Sequence, residues 1–342
     1  MRHHTSALSA VAVSASLCLA AAGCASGDTA DGGGAIKVAL PTSVTSFANS
    51  DVVVAEEKGY FEEVGIDVEM TNLKSGASSV KGVVGGSFEV GGASIEPVIN
   101  SSAAGGDLRI IGSYTDRLEV QLVTPKSITD PKDLKGQKLG VQEVGAFREV
   151  MTRLVLEGAG LTRADVEYLP TNADAYTSAL VQGRIASAIL HPEQAVAARA
   201  KDPDLHALVD LYDVEPDYYY GTYFVSKKWL DDNKDTAEKF MLAITKAHRF
   251  MRDNKNEVVP IIAEATGFTN DEIAEAYETY MTKIEAFPMN EGLDEERLDY
   301  TVGRMKELKT LVGDPPDMNE LVDRGPVEAS VEELGREPER SQ

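Results

Sequence analysis

Short apolar runs alternate with segments of helical spacing along the first part of the chain. Ile36–Leu40 predicts a strand, Asp51–Lys58 a helix that Gly59 ends, and Asp67–Leu73 a second strand. Strands that alternate with helices predict a parallel sheet covered by helices. The pattern continues with a Gly-rich helix near Ser79–Gly86, a strand at Phe88–Gly91, a helix from about Glu96 and a strand at Leu108–Ile111.

The same alternation starts again at Lys138–Val144. Ala146–Glu157 places its apolar side chains on one helical face, and Gly158 and Gly160 follow it. A restarted set of strands and helices predicts a second α/β lobe. Its other predicted elements are the strands Val166–Leu169, Ala186–Leu190 and Ala207–Leu211, a helix over Ala173–Gln182 and a helix from Glu193.

Two chain crossings are expected to join the lobes, one near Gln121–Pro125 and one near Tyr220–Ser226. The sequence after them is helical to about Leu311, and the polar residues from Gly325 onward are predicted to be disordered. Because ligands of open parallel sheets bind beyond the carboxyl ends of the strands, we expect the site in a cleft between the lobes. The predicted division is lobe 1 over residues 36–122 and 224–324, lobe 2 over residues 123–223, and a tail over residues 325–342.

An uncharged apolar run near the first residue precedes a lone cysteine. Arg2 stands before Leu8–Ala22, which is the arrangement of a secretory signal peptide. About 15 apolar residues are fewer than the ~20 of a membrane-spanning helix. Residues 21–24 resemble a bacterial lipobox, which implies cleavage after residue 23, lipidation of Cys24 and a flexible tether over residues 24–35. The alternative is an ordinary signal peptide with a chance cysteine.

Composition narrows the classes of partner. The 33 basic and 56 acidic residues give a net charge of −23, which disfavours nucleic acid and anionic bilayers as partners. Cys18 falls in the predicted signal peptide, so no disulfide is expected in the folded part. His191, His206 and His248 lack metal-ligand spacing, and no P-loop or GxSxG motif occurs. We therefore expect no metal, no cofactor and no enzymatic activity.

Four blocks of the sequence resemble, in the same order, one family of periplasmic substrate-binding proteins. These proteins serve ABC importers of nitrate, sulfonates, taurine and thiamine precursors. The resemblance implies an α/β, two-lobed periplasmic-binding-protein fold of type II, with two parallel-rich sheets, flanking helices and a two-strand hinge. The blocks are AEEKGYFEEVGIDVEM (Ala55–Met70), GSFEVGGAS (Gly86–Ser94), DLKGQKLGVQEVGAF (Asp133–Phe147) and ALVQGRIASAILHPEQ (Ala179–Gln194).

The resemblance also implies how the protein works. Such a protein closes on one small molecule and delivers it to an ABC permease and its ATPase. We expect an extracytoplasmic monomer that reaches the membrane through its lipid anchor alone. The rival classes are a secreted enzyme on the same fold and an acidic surface adhesin.

The ligand-binding positions implied by the resemblance lie in loops that follow predicted strands, at the start of the helix in the second lobe and at the second crossing. Several have structural alternatives. Phe47 and Phe147 could pack in a lobe core, His191 could be a hydrogen-bonded loop histidine, and Glu193 could complement its helix N-terminus. The full set is Ser46, Phe47, Asn49, Gly92, Ser94, Tyr114, Thr115, Gly145, Ala146, Phe147, His191, Glu193, Tyr220 and Thr222.

Two ligand classes remain open. A carboxylate at Glu193 could accept hydrogen bonds from an amino-substituted ring, which favours a thiamine-precursor-like heterocycle. Arg148 and the helix start at Ala146 could instead hold an alkanesulfonate, taurine or nitrate. The aromatic side chains that could stack on a flat ring are Phe47, Tyr114, Phe147 and Tyr220.

Overall fold

The computed structural model describes residues 34–142, 144–171 and 175–338. Within these ranges the chain forms three hydrogen-bonded sheets of five, three and two strands. In chain order the strands are β1 (Ile36–Leu40), β2 (Val68–Asn72), β3 (Val90–Ser94), β4 (Leu108–Gly112), β5 (Gln121–Pro125), β6 (Lys138–Val141), β7 (Glu167–Pro170), β8 (Ala188–Leu190), β9 (Leu205–Asp210) and β10 (Gly221–Ser226).

Helices cover these sheets and make up most of the chain after β10. In chain order they are α1 (Asp51–Glu57), α2 (Tyr60–Glu63), α3 (Gly76–Val84), α4 (Ile95–Ala103), α5 (Phe147–Gly158), α6 (Tyr176–Val181), α7 (Pro192–Lys201), α8 (Leu211–Val214), α9 (Lys227–Asp232), α10 (Lys234–Asp253), α11 (Lys255–Thr266), α12 (Asn270–Tyr277), α13 (Glu295–Glu307), α14 (Met318–Leu321) and α15 (Gly325–Leu334).

The first sheet has the order β2-β1-β3-β10-β4. β1 pairs in parallel with β2 and β3, while β10 is antiparallel to β3 and β4. Tyr223, Phe224 and Val225 of β10 are all fully buried, so this strand is covered on both faces. The sheet is therefore parallel apart from one central strand that arrives from the second part of the chain.

The second sheet region contains β5 to β9. β5 lies between β8 and β9 and is antiparallel to both, and β6 pairs in parallel with β7. A parallel bridge between Leu139 and Ser187 joins the β6-β7 pair to β8. The mixed α/β architecture predicted from the alternation of strands and helices is confirmed.

The chain passes from the first sheet to the second between β4 and β5, and it returns between β9 and β10. Both β5 and β10 are hydrogen-bonded along their length within one sheet. The predicted lobe boundaries after residues 122 and 223 therefore fall inside strands, and the connections at residues 113–120 and 211–220 divide the chain without breaking a strand. The predicted signal peptide, Cys24 and the tether up to residue 33 lie outside the described residues.

The helical sequence predicted after the second crossing includes α10, whose apolar side chains form a stripe along one face. This long helix buries its apolar face against α1 and α15, and Phe240 stacks on Phe61 with ring centroids 5.7 Å apart. Across the described ranges, no helix combines the length and the apolar character needed to cross a membrane. The stripe residues that are buried are Ala237, Phe240, Met241, Ile244, Ala247 and Met251.

The predicted disorder from Gly325 is wrong for residues 325–334, which form α15. Val327 and Val331 are four positions apart, so they lie on one helical face, and both are buried. Arg249 of α10 donates hydrogen bonds to the carbonyl oxygens of Leu334 (3.2 Å) and Gly335 (2.7 Å). Apolar spacing and these caps outweigh the polar composition of the segment. Residues 339–342 lie outside the described residues.

Gly221, the first residue of β10, provides a test of packing at the crossing. A Cβ at this position would overlap the ring of Tyr114. That ring is buried and packs edge-on against Tyr220 and Tyr223, so it has no room to move aside. We expect Gly221→Ala to lower the free energy of unfolding by about 1–3 kcal/mol, measured by urea denaturation.

The matched control is Gly158→Ala at the last residue of α5. A Cβ there meets no atom within 4 Å. Alanine is the better helix former, so the control should be neutral or stabilising by up to about 1 kcal/mol. An equal loss of stability in both variants would contradict the close approach of Tyr114 to Gly221.

Candidate functional site

The predicted site residues come from segments next to the strands of the first sheet and of the second sheet region. Phe47 follows β1, Tyr114 lies between β4 and β5, His191 follows β8, and Tyr220 directly precedes β10. Phe147 begins α5, after β6. The fold thus brings residues from five separate segments into one buried region.

Tyr220 is at the centre of an aromatic group in this region. Its ring centroid lies 4.5 Å from that of Phe147, 5.7 Å from that of Tyr114 and 6.3 Å from that of His191. Phe147 is partly exposed, whereas the other three rings are buried. Four of the predicted site residues therefore share one contact set, and Phe147 is the member that reaches solvent.

Glu193 joins three distant segments. Its Oε1 accepts a hydrogen bond from the backbone N–H of Phe47 at 3.2 Å, and its Oε2 accepts one from the Tyr280 hydroxyl at 3.3 Å. The ring of Phe47 stacks on Tyr280 with centroids 4.3 Å apart. Burial raises the pKa of Glu193 to about 7, against these hydrogen bonds. Glu193 therefore ties the loop after β1 to the first turn of α7 and to the π-helix that follows α12.

His191 is hydrogen-bonded to a carboxyl group that the sequence did not bring to notice. Its Nδ1 lies 2.8 Å from Oε1 of Glu119, and both side chains are buried. Burial lowers the pKa of His191 and raises the pKa of Glu119 well above its usual range. Since burial moves both groups towards their neutral forms, the contact is a hydrogen bond rather than an ion pair. Glu119 Oε2 is buried with no partner among the described residues.

Glu96 is a second buried carboxyl group in the same region. It lies in the first turn of α4, and its Oε1 accepts a hydrogen bond from the Tyr218 hydroxyl at 2.8 Å. The N–H of the preceding Ile95 donates to the carbonyl of Tyr220 at 2.8 Å, so this helix start adjoins the aromatic group. Glu96 Oε2 also lacks a partner within the described part of the chain. Burial raises the pKa of Glu96.

Arg148 is the one buried basic side chain among the lysines and arginines that the structure describes. Its guanidinium donates to the carbonyl of Ile189 and, at 3.1 Å, to Oε1 of Gln194, and it lies over the ring of Tyr176. These contacts hold the cation inside the second sheet region. The role in anion binding that the sequence allowed for Arg148 would require breaking them.

The start of α5 already faces a carboxylate. The backbone N–H of Gly145 donates to Oε2 of Glu149 at 2.9 Å, and Ala146 occupies the N-cap position. Glu149 is fully buried and also accepts hydrogen bonds from Arg153 and Tyr168. A negative charge at this helix start satisfies the donor that an anionic ligand would otherwise use.

The other predicted positions are mostly engaged within the protein. The side-chain oxygen of Asn49 accepts from the backbone N–H of Ser46 at 3.0 Å. Thr115 is fully buried, and its carbonyl accepts from Gly221 at 2.7 Å. Ser94 lies at the N-cap of α4. Gly92 was expected in the loop after a strand, but it lies within β3, because pairing with β10 extends β3 to Ser94. Thr222 lies in β10, at the predicted second crossing.

Sequence reasoning missed Glu96, Glu119 and Tyr280. Glu119 is flanked by the buried residues Leu118 and Val120, and a charged residue between apolar neighbours beside a strand was the available signal. Glu96 resembles an ordinary acidic residue in a first helical turn. No local pattern marks Tyr280. In the ranges that the structure describes, no group of three or more His, Cys, Asp or Glu side chains is placed to hold a metal ion.

Comparison with known proteins agrees with this architecture. The sequence model of the family described as NMT1/THI5 like matches residues 47–258. A protein of Bacillus subtilis (strain 168), provisionally named as an aliphatic sulfonates-binding protein, is 25% identical over 223 residues, covering 63% of this chain and 66% of that protein.

Two solved structures are similar over nearly their whole length. The periplasmic aliphatic sulphonate binding protein SsuA from Escherichia coli has a TM-score of 0.68 at 16% identity, covering 84% of this chain and 91% of that chain. The periplasmic nitrate-binding protein NrtA from Synechocystis PCC 6803 has a TM-score of 0.71 at 13% identity, covering 88% and 89%. The expected periplasmic-binding-protein fold is confirmed.

The raised pKa of Glu193 predicts a pH-dependent stability. The carboxyl group titrates at about 7 when folded and near ~4.3 when unfolded, so the folded state holds a proton that the unfolded state releases. Its contribution to stability is complete below about pH 4 and is lost as the pH rises through about 7. Urea unfolding of wild type and Glu193→Gln should show the wild-type advantage falling by up to about 4 kcal/mol over this range. A stability difference between wild type and Glu193→Gln that stays constant with pH would contradict the raised pKa of Glu193.

Proposed function

Because the chain belongs to the NMT1/THI5-like family, we propose that it is an extracytoplasmic solute-binding protein that captures a small organic molecule and delivers it to an ABC importer. The importer would consist of a permease and its ATPase. The support is the fold, the place of the buried site between the two sheet regions, and relatives that are named as binding proteins. Closure of such a fold needs a ligand that adds contact energy to the closed state.

We propose a flat, nitrogen-bearing heterocycle of the thiamine-precursor type as the ligand. The observation that carries this choice is the aromatic group around Tyr220, which lies beside buried carboxyl groups and not beside a free cation. Aromatic faces bind planar rings by stacking, and carboxyl oxygens accept hydrogen bonds from ring amino groups. Of the sequence candidates, Phe147, Tyr220 and His191 have the contacts that fit this role best, while Glu193 is bonded to Phe47 and Tyr280.

An anion is the second candidate, because relatives are named for aliphatic sulfonates and nitrate. A sulfonate would have to approach Glu193 and Glu119 while Arg148 stays bound to Ile189 and Gln194. Burial shifts both carboxyl groups towards the neutral form, so the objection to a sulfonate is that Arg148, the buried cation of the region, is already held by other groups. The lack of a free cation therefore favours the ring.

Export and anchoring complete the proposal. Cleavage before Cys24 and lipidation of its thiol would leave a folded domain tethered to the outer face of the cell membrane, since two acyl chains give stable anchoring. The domain would act as a monomer with no nucleic-acid partner.

Calorimetry on the purified domain tests the ligand class. We expect binding of 4-amino-2-methylpyrimidine, weaker or no binding of methanesulfonate, taurine and nitrate, and recovery of the pyrimidine unchanged by mass spectrometry. Phe147→Ala should weaken pyrimidine binding roughly tenfold, because one stacking face is lost. The matched control is Phe88→Ala, a half-buried phenylalanine that packs on Gly82 of α3. Tight sulfonate binding without pyrimidine binding would favour the anion, and a chemically altered pyrimidine would favour an enzyme.

Cell fractionation tests the anchor. Cys24→Ala should release the protein from the membrane fraction into the soluble or medium fraction, because the modified thiol is lost. Cys18→Ala lies in the same segment and should leave the protein on the membrane. Retention of the Cys24 variant on the membrane would overturn the lipoprotein assignment.

A further inference from the structure

Two buried carboxyl groups beside Tyr220 each have an oxygen that no group of the described chain satisfies. Oε1 of Glu119 is hydrogen-bonded to His191, and Oε1 of Glu96 accepts a hydrogen bond from the hydroxyl of Tyr218, each at 2.8 Å. Oε2 of both side chains is buried and makes no hydrogen bond to the described chain, although the Ser94 side chain is near enough to the Glu96 carboxyl group to lower its pKa. The two side chains are 1% exposed or less. These free oxygens are not explained by the packing of the protein itself.

Such an arrangement is unfavourable without a ligand. A buried polar atom that lacks a hydrogen bond destabilises the protein, and the penalty is larger for a charged group. The sequence places two of them beside the same two tyrosines, Tyr114 and Tyr220, where neutral residues would pack more easily. Buried groups of this kind are common at sites where a ligand supplies the missing partner.

We propose that Glu96 and Glu119 form a subsite that binds a planar group with at least two N–H donors, such as an amidine or an amino-substituted nitrogen heterocycle. The inference rests on the proposed function, since it names the part of the same site that selects the ligand. Two carboxyl groups that sequence comparison did not indicate would thus select the ligand. Glu193 would instead hold Phe47 and Tyr280 in position.

The neighbouring residues fit a donor group and disfavour an acceptor. Arg148, the buried cation of the region, is held by Ile189 and Gln194 and therefore does not neutralise the free oxygens. Phe147, the partly exposed ring that packs on Tyr220, provides an aromatic surface for the planar part of the ligand. An anionic group would meet the π faces of aromatic rings and no free cation, although the hydroxyls of Tyr114 and Thr115 also lack partners among the described residues.

Binding at this subsite should depend on pH. Burial raises the pKa of Glu119, while N–H donors bind the ionised form best, so affinity should increase as the pH rises through the pKa of the free protein. A cationic ligand should also displace a proton from the carboxyl group. The titratable and charged groups that face Glu119 are His191, Glu193, Arg148, Tyr114, Tyr220 and Tyr280.

Benzamidine and benzenesulfonate are the probes, because they share one ring and carry opposite charges. Calorimetry on the intact domain should show benzamidine binding with proton release and an affinity that rises with pH, and no benzenesulfonate binding. Glu119→Gln and Glu96→Gln should each weaken benzamidine binding roughly tenfold or more, since an amide nitrogen then faces the ligand donors. Glu119→Gln should also abolish most of the pH dependence.

Glu215→Gln is the matched control. Glu215 is a buried carboxylate whose oxygens are already bonded to Arg304 (3.0 Å) and Tyr300 (2.7 Å), so benzamidine affinity should not change. Thermal unfolding of each variant checks that it is folded. If one variant does not fold, the pH and proton-release measurements on the wild-type protein still test the proposal. Unchanged affinity in both folded site variants, or no benzamidine binding to wild type, would overturn the subsite. The proposed function fails separately, if neither ligand class of the pyrimidine and anion panel binds or if a ligand is chemically altered.

Discussion

The burial of carboxyl groups between the two sheet regions is the constraint on which the rest of the site depends. Glu96, Glu119 and Glu193 are each removed from water, and each is hydrogen-bonded to a specific partner: Tyr218, His191, or Phe47 and Tyr280. Removing a carboxyl group from water is costly, so each partner must be held accurately. This requirement fixes the loop after β1, the start of α7 and the tyrosines before β10 relative to one another.

The aromatic residues follow from the same constraint. The tyrosines that precede β10 carry both an apolar ring and a hydroxyl, so they can fill the region and also contact the acids. Tyr218 uses its hydroxyl for Glu96, while Tyr220 packs its ring against Phe147 and Tyr114. Gly221 must then be a glycine, because the ring of Tyr114 occupies the space of a side chain. The three consecutive tyrosines therefore have different surroundings. Tyr218 contacts Glu96, Tyr219 lies in the core, and Tyr220 contacts Phe147 in the candidate site.

The sequence predicted the elements well where periodicity and glycine stops were strong. β1 and α1 were found nearly to the residue, because an apolar run and a helix that ends before a glycine leave few alternatives. The pairings of β10 and the helix α15 were not found, because each depends on partners far away in the chain. For the site, the sequence predicted the loops that follow strands but not Glu96 and Glu119, because a local sequence pattern does not reveal which acidic residue will be buried. Only the tertiary fold brings His191 within reach of Glu119.

The fold does not by itself decide what such a protein binds, because ligand contacts come from side chains placed on a shared scaffold. Two structures of this fold are named for sulfonate and nitrate binding, and both ligands are anions. In this chain two donors that could hold an anion are engaged internally: Arg148 is bound to Ile189 and Gln194, and the N–H of Gly145 is bound to Glu149. The buried side-chain atoms of the region that lack a partner among the described residues include the acceptors Glu96 Oε2 and Glu119 Oε2 and the hydroxyls of Tyr114 and Thr115. Because internal groups hold the buried cation, the preference that we propose for a ligand with N–H donors follows from the engagement of Arg148 and from the two free carboxyl oxygens.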